Sequence, residues 1–106
     1  MANVYLAPEA YADLEAIFEY LLEAEGLGVA EAQVGVLEAA VQSLHTLPKR
    51  GKCPSELLSM GISLFRELQC FPWRIFYRVV EGDVWVVAVL DGRRNIAQLL
   101  PERLVR

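Results

Sequence analysis

Residues 65–90 read FRELQCFPWRIFYRVVEGDVWVVAVL and decide the fold. β-branched and aromatic residues dominate this part of the chain, which predicts strands over three runs: Ile62–Leu68, Trp73–Val80 and Val84–Leu90. The first two runs are separated by Phe71-Pro72, and the last two flank Glu81-Gly82-Asp83, which is a hairpin signal. The sequence therefore predicts an antiparallel β-structure in the second half of the chain.

The middle run alternates between two faces, because successive side chains of a strand point to opposite sides of a sheet. One face carries Trp73, Ile75, Tyr77 and Val79, and we expect it to pack under helices. The opposite face carries Arg74, Phe76, Arg78 and Val80. We expect that second face to stay open to solvent, with its arginines exposed, and we interpret both Trp73 and Trp85 as core residues.

The chain before residue 49 has a helical period instead. One apolar stripe consists of Tyr11, Leu14, Phe18 and Leu21, and a second consists of Val34, Leu37, Val41 and Leu44. Pro8 suits the first turn of the first helix, and Gly26 and Gly28 end it. The second helix is predicted from Val29 to Leu44. Two stripes around a short glycine-containing break predict an antiparallel helical hairpin.

Two short segments complete the pattern. Asn3–Leu6 is apolar and ends before Pro8, which predicts a strand. Residues 94–105 have Ile96, Leu99 and Leu100 near helical spacing, and Pro101 predicts that any helix there is short or broken. The order β-α-α-β-β-β indicates an α+β fold, with the helical hairpin on one face of a small antiparallel or mixed sheet. A single domain over residues 1–106 is expected at this length.

Charge is distributed unevenly along the chain. The formal net charge is −4 and the pI is about 4.9. Lys49 is the first basic residue, and eight acidic residues precede it. The acidic first half and the basic second half indicate two surfaces with different electrostatic partners.

Several classes of protein are excluded by composition. Cys53 and Cys70 form no C-x-x-C pair and His45 is the one histidine, so no metal site or cofactor is expected. No apolar run approaches the ~20 residues that span a bilayer. The N-terminus has no signal-peptide pattern, so the sequence predicts a cytoplasmic protein without a membrane partner.

From APEAYADLEAIFEYL through LHTLPKRGK to the strands, nearly the whole chain resembles the ParE/RelE toxin superfamily. The most specific matches are Phe65–Leu68, Trp73–Arg78 and Asp91–Arg94. The resemblance implies one of two activities. RelE-like members cleave mRNA in the ribosomal A site, whereas ParE-like members poison DNA gyrase and have no known nuclease activity.

The residues at the family's nuclease positions favour the ParE-like alternative. Arg74 and Arg94 match the two arginines of RelE-like enzymes. Phe65 and Glu67 occupy the lysine positions, and Leu100 occupies the tyrosine position. Phe65 and Leu100 have no group that can transfer a proton, and Glu67 would repel the scissile phosphate. An acidic pI also disfavours docking on rRNA. We therefore expect no catalytic residues, and contact with nucleic acid only through a partner.

The leading hypothesis is a toxin that inhibits DNA gyrase by protein–protein contact and is neutralised by a cognate antitoxin. By the resemblance, a disordered antitoxin segment would bind by helix-in-groove contacts and an added strand. The expected target-binding residues are Arg66, Arg74, Arg78, Arg93 and Arg94. Replacing Arg74 or Arg94 by alanine is expected to change stability by within ~0.5 kcal/mol. An mRNA interferase and a decayed, non-toxic antitoxin-binding module remain as alternatives.

Overall fold

A computed structural model describes residues 1–104 of the protein. Its elements, in chain order, are β1 (Val4–Leu6), α1 (Pro8–Glu25), α2 (Leu27–Ser43), α3 (Ser55–Leu58), β2 (Phe65–Cys70), β3 (Trp73–Val80), β4 (Asp83–Asp91) and α4 (Ile96–Leu104). The α+β class and the predicted order of the main elements are confirmed, and α3 is an addition. Within these residues, no helix combines the length and the apolar character that crossing a bilayer requires.

The helical hairpin forms as predicted, with a tighter connection. Pro8 lies in the first turn of α1, where its missing N–H costs no hydrogen bond. Gly26 ends α1 with φ 93°, a left-handed conformation that glycine adopts without a Cβ penalty. Gly28 already belongs to α2, which starts two residues earlier than the predicted Val29. The buried stripe of α1 includes Leu14, Ile17 and Leu21.

The four strands form one mixed sheet in the order β1-β4-β3-β2. β1 pairs in parallel with β4, and the other pairs are antiparallel. Glu81 (φ 52°) and Gly82 (φ 84°) both have positive φ in the hairpin turn between β3 and β4. Positive φ at both central residues defines the type I′ turn, whose twist matches that of the strands.

The short β1 covers only part of the β4 edge. It pairs with Val84 to Val86, and further along β4 the backbone N–H of Val89 donates to Asp13 Oδ2 at 2.9 Å instead. The same carboxylate accepts from Arg103 Nη2 at 2.7 Å. Asp13 therefore satisfies the end of the sheet edge and attaches α4 to α1.

The first face of the sheet packs under the hairpin, as predicted. Trp73, Ile75 and Tyr77 are buried there with residues of α1 and α2, and Val79 packs against the same cluster. Tyr77 also anchors the loop after the hairpin, because the Gly51 N–H donates to its hydroxyl at 3.0 Å. A Cβ at position 51 would lie 2.5 Å from the Glu67 carbonyl oxygen, so only glycine fits this approach.

The prediction that the second face of the sheet is open is wrong for most of that face. α3 and α4 cover it and form a second apolar cluster, in which Phe76 and Leu100 are fully buried. Leu57 contributes from α3, and Ile96 contributes from α4. The face is covered because Phe76, Ala88 and Leu90 lie on it together with the arginines, and burying these apolar side chains is favourable.

The boundaries of two elements differ from the predictions. Ile62 does not start a strand: its N–H donates to the Leu57 carbonyl at 2.9 Å, closing the turn after α3, and β2 begins at Phe65. α4 is short, as predicted, but it continues through Pro101. The predicted part of this segment at Val105 lies outside the described residues.

Candidate functional site

Arg74 lies at the centre of an ion-pair cluster on the second face. Its guanidinium binds Glu67 with Nε–Oε1 at 2.9 Å and Nη2–Oε2 at 2.7 Å. It also binds Glu56 of α3 with Nη1–Oε2 at 2.7 Å and Nη2–Oε1 at 2.9 Å. Arg74 therefore joins α3 to the sheet through two bidentate pairs, a geometry that arginine forms and lysine cannot.

The cluster is largely shielded from water. The side chain of Glu67 is 1% exposed and that of Arg74 is 13% exposed. The charge-assisted hydrogen bonds from Arg74 lower the pKa of Glu56 to about 2. Hydrogen bonds to both carboxylates also raise the pKa of Arg74. The expectation that Arg74 projects from an open face is corrected, because α3 covers it and its donors are engaged inside the fold.

Arg93 and Arg94 follow β4 and are exposed. Arg93 pairs with Asp91, with Nη2–Oδ2 at 2.8 Å, and this contact lowers the pKa of Asp91. The turn lies beside the ion-pair cluster, since a Cβ at Gly92 would meet Arg74 Cδ at 2.8 Å. The turn that carries Arg93 and Arg94 therefore lies next to the largely buried Arg74.

Arg66 and Arg78 lie on opposite faces of the sheet. Arg66 Nη1 donates to the carbonyl oxygens of Gly51 at 2.7 Å and Lys49 at 3.2 Å, which holds the loop after the hairpin. Arg78 shares the second face with Arg74 but lies nearer the turn between β3 and β4. Its guanidinium is 5.7 Å from the centroid of the Phe65 ring. The structure therefore does not gather the five arginines into one site, because Arg66 and Arg78 lie apart from Arg74 and the turn after β4.

The residues at the nuclease positions of the resembled family, Phe65, Glu67 and Leu100, are packed or paired within the fold. Leu100 is fully buried in the second cluster, and Glu67 is held by Arg74. Phe65 is half-buried under Arg78. A depression of about 290 Å³ lies above the ion-pair cluster, between Lys52, Phe71 and Arg93. Both carboxylates in its floor, Glu56 and Glu67, accept hydrogen bonds from Arg74, so neither is free to act as a general base.

A larger groove lies on the other side of the molecule and was not found from the sequence. It has a volume of about 550 Å³ and runs between the helical hairpin and β1. Its apolar lining includes Leu14, Phe18 and Val41, and its acidic residues are Glu15, Glu19 and Glu38. The helical period predicted the apolar stripe, but part of that stripe lines this groove and is not sealed within the core.

The cysteines and tryptophans complete the candidate residues. Cys53 and Cys70 are free and half-buried, and burial raises the pKa of the Cys70 thiol. Within residues 1–104, no three His, Cys, Asp or Glu side chains are grouped to hold a metal ion.

Trp73 is buried, as expected, but Trp85 is 41% exposed and its assignment to the core is wrong. Trp85 faces away from Val84 and Val86, which both point toward the helices.

Comparisons with known proteins agree on one family. Residues 4–96 match the family model of the ParE toxin of the parDE type II toxin–antitoxin system. Toxin ParE3 of Caulobacter vibrioides is 31% identical over 103 residues, which cover 97% of this chain and 99% of that protein. A solved structure of the chromosomal ParDE system from P. aeruginosa matches with a TM-score of 0.72 and 22% identity, over 86% of this chain and 96% of that one.

Proposed function

The chain belongs to the ParE toxin family of type II toxin–antitoxin systems, and we propose that it arrests growth by binding and inhibiting DNA gyrase. The interaction is a protein–protein contact without catalysis. The observation that carries this proposal is the state of Glu67 and Leu100, which stand where RelE-like nucleases have proton-transfer residues. One is locked in an ion pair and the other is fully buried.

The test compares the two activities of the superfamily directly. We expect purified toxin to inhibit supercoiling by gyrase, or to promote gyrase–DNA cleavage complexes, and to leave mRNA on translating ribosomes intact. A toxin without a proton-transfer group in reach of a bound phosphate has no means to activate the 2′-hydroxyl. Codon-specific cleavage in the A site, absent from a mock reaction, would contradict the proposal.

We also propose that a cognate antitoxin neutralises the toxin in the cytoplasm by occupying the groove between the hairpin and β1. The groove offers an apolar floor for one face of an amphipathic helix, and Glu15, Glu19 and Glu38 line it. Because these residues are acidic, the complementary antitoxin segment carries Lys or Arg beside its apolar residues. The outer edge of β1 borders the same groove and is free to accept an added strand.

Charge reversal in the groove tests this docking site. We expect Glu19→Lys to weaken binding of the product of the adjacent antitoxin gene by about tenfold, which is about 1.4 kcal/mol. Glu23→Lys is the matched control, because Glu23 is exposed on the same helix and does not line the groove. Both variants should keep the toxicity of the wild type. Equal antitoxin affinity for the two variants would place the antitoxin elsewhere.

A further inference from the structure

The register of the sheet aligns four side chains in one row across all four strands. Phe65 of β2 is opposite Arg78 of β3, Arg78 is opposite Trp85 of β4, and Trp85 is opposite Tyr5 of β1. Tyr5 and Trp85 stack with ring centroids 4.6 Å apart, and Arg78 lies over the Phe65 ring. These four residues are called the aromatic row below.

Tyr5 and Trp85 lie outside the apolar cluster that α3 and α4 cover on the second face, and Phe65 packs against that cluster. The apolar cluster under these helices is centred on Phe76, Ala88 and Leu90, toward the opposite end of the strands. Tyr5 is 40% exposed and Trp85 is 41% exposed. Adjacent exposed aromatic residues beside an arginine are typical of protein-binding surfaces, where Trp, Tyr and Arg contribute most of the binding energy.

Arg78 differs from the other arginines of this face in its partners. Within residues 1–104, no carboxylate lies within salt-bridge distance of it, and its buried Nε has no hydrogen-bond partner. Arg74 and Arg93, by contrast, are each paired with carboxylates. A guanidinium that lies over the Phe65 ring and has no carboxylate partner is preorganised for an external carboxylate.

We propose that the aromatic row is the surface with which the toxin contacts its target protein. The target supplies a carboxylate to Arg78 and an apolar side chain that packs on Trp85. This inference rests on the proposed function and specifies which of the arginines acts in it. A protein ligand is favoured over nucleic acid because the chain is acidic, with a pI near 4.9, and because Glu81 follows the row in the adjoining turn.

The row and the antitoxin groove lie largely on different faces of the sheet. Val4 and Leu6 of β1 pack against the cluster under the helices, whereas Trp85 points away from it. Tyr5 borders both surfaces and is therefore left unchanged in the experiment. Target binding and antitoxin binding are consequently separable by substitution at Trp85 and Arg78.

The experiment compares Trp85→Ala, Arg78→Gln and Arg78→Lys with two controls. Leu27→Ala removes an exposed apolar side chain at the start of α2, and Arg50→Gln removes an exposed cation outside the row. Thermal melting first confirms that each variant is folded. Inhibition of purified gyrase holoenzyme, growth arrest normalised to protein level, and affinity for the antitoxin are then measured.

We expect Trp85→Ala and Arg78→Gln each to weaken gyrase inhibition and growth arrest by about tenfold or more, as at binding hot spots. Arg78→Lys should retain part of the activity, since it keeps the charge and loses the bidentate geometry. The controls should match the wild type, and all variants should keep their affinity for the antitoxin. Folded variants with full toxicity would overturn the proposal.

Other outcomes distinguish this inference from the proposed function. If the wild type arrests growth without inhibiting gyrase, the gyrase assignment fails, and the growth assay still tests the aromatic row. A parallel loss of antitoxin affinity in Trp85→Ala would assign the row to the antitoxin and overturn the inference. Binding of a labelled single-stranded DNA that depends on Trp85, or dimerisation that depends on it, would also overturn it. A wild type that does not arrest growth would refute both proposals.

Discussion

Removal of the Arg74 guanidinium tests whether the ion-pair cluster holds the second face together. The substitution Arg74→Met keeps most of the side-chain length and removes all four hydrogen bonds to Glu56 and Glu67. Glu67, whose side chain is 1% exposed, would then be a buried carboxylate without a cation. Breaking a buried pair in this way typically costs about 3–5 kcal/mol.

The expected loss is a large part of the free energy of unfolding, which is about 5–15 kcal/mol for proteins of ordinary stability. At about 4–8 °C per kcal/mol for a domain of this size, a loss of 3 kcal/mol lowers Tm by roughly 12–24 °C. Thermal denaturation followed by circular dichroism measures this shift. Arg94→Met is the control, because Arg94 is exposed and its replacement should change stability by within ~0.5 kcal/mol.

A double substitution separates the cost of the lost ion pair from the cost of an unpaired buried charge. In Arg74→Met/Glu67→Leu the interior carboxylate is absent, and Glu56, which is partly exposed, can turn to solvent. Because apolar replacement of a buried pair is often close to neutral, the double variant should regain most of the lost stability. A Tm of Arg74→Met within about 2 °C of the wild type would refute the reasoning, since it falls far short of the expected shift.

Three further predictions concern the glycines, the acid response and the tryptophans. Gly51→Ala should lower stability by about 1–3 kcal/mol, because its Cβ would clash with the Glu67 backbone. Gly35→Ala, which has open space around it on α2, should instead raise stability by about 0.5–1 kcal/mol. Equal Tm values for the two variants would contradict the close approach at Gly51. The contribution of Glu56 to stability requires its charged form, so the stability difference between wild type and Glu56→Gln should be full above pH 4.5 and disappear as pH falls toward about 2. Urea denaturation at a series of pH values measures this difference, and a difference that persists at the lowest pH would exclude the ion pair as its source. Acrylamide should quench Trp73→Phe, which retains the exposed Trp85, more strongly than Trp85→Phe; equal quenching would mean that Trp85 is covered.

Periodicity predicted the elements that are long enough to show a period. The helical hairpin and β3 follow from stripes of several residues, and β3 has the predicted limits of Trp73 and Val80. α3 contains four residues and buries only Leu57, so no repeat could reveal it. The face was wrongly predicted to be open because α3 was missed and because the spacing in the α4 segment did not show that it packs on the sheet.

The side-chain partners were less predictable than the strands, because they depend on contacts between distant parts of the chain. Arg74 meets Glu56 across 18 positions, from a segment that carries no recognisable pattern. The exposure of Trp85 could have been derived, since alternation places it opposite Val84 and Val86. The aromatic row itself required the parallel pairing of β1 with β4, which the order of elements left undetermined between antiparallel and mixed sheets.

That parallel pairing also determines when the sheet can be completed during synthesis. Asn3 meets Asp83 across 80 positions, so β1, the first strand to leave the ribosome, must wait for the last strand, β4. Contacts between such distant residues form late, because the entropy of closing a long loop opposes them. The stacked rings of Tyr5 and Trp85 cannot assemble before Trp85 has been synthesised, whereas the helical hairpin, made earlier, has the residues that form most of the groove lining. An antitoxin that recognises the hairpin could therefore engage its toxin before the surface proposed for the target exists.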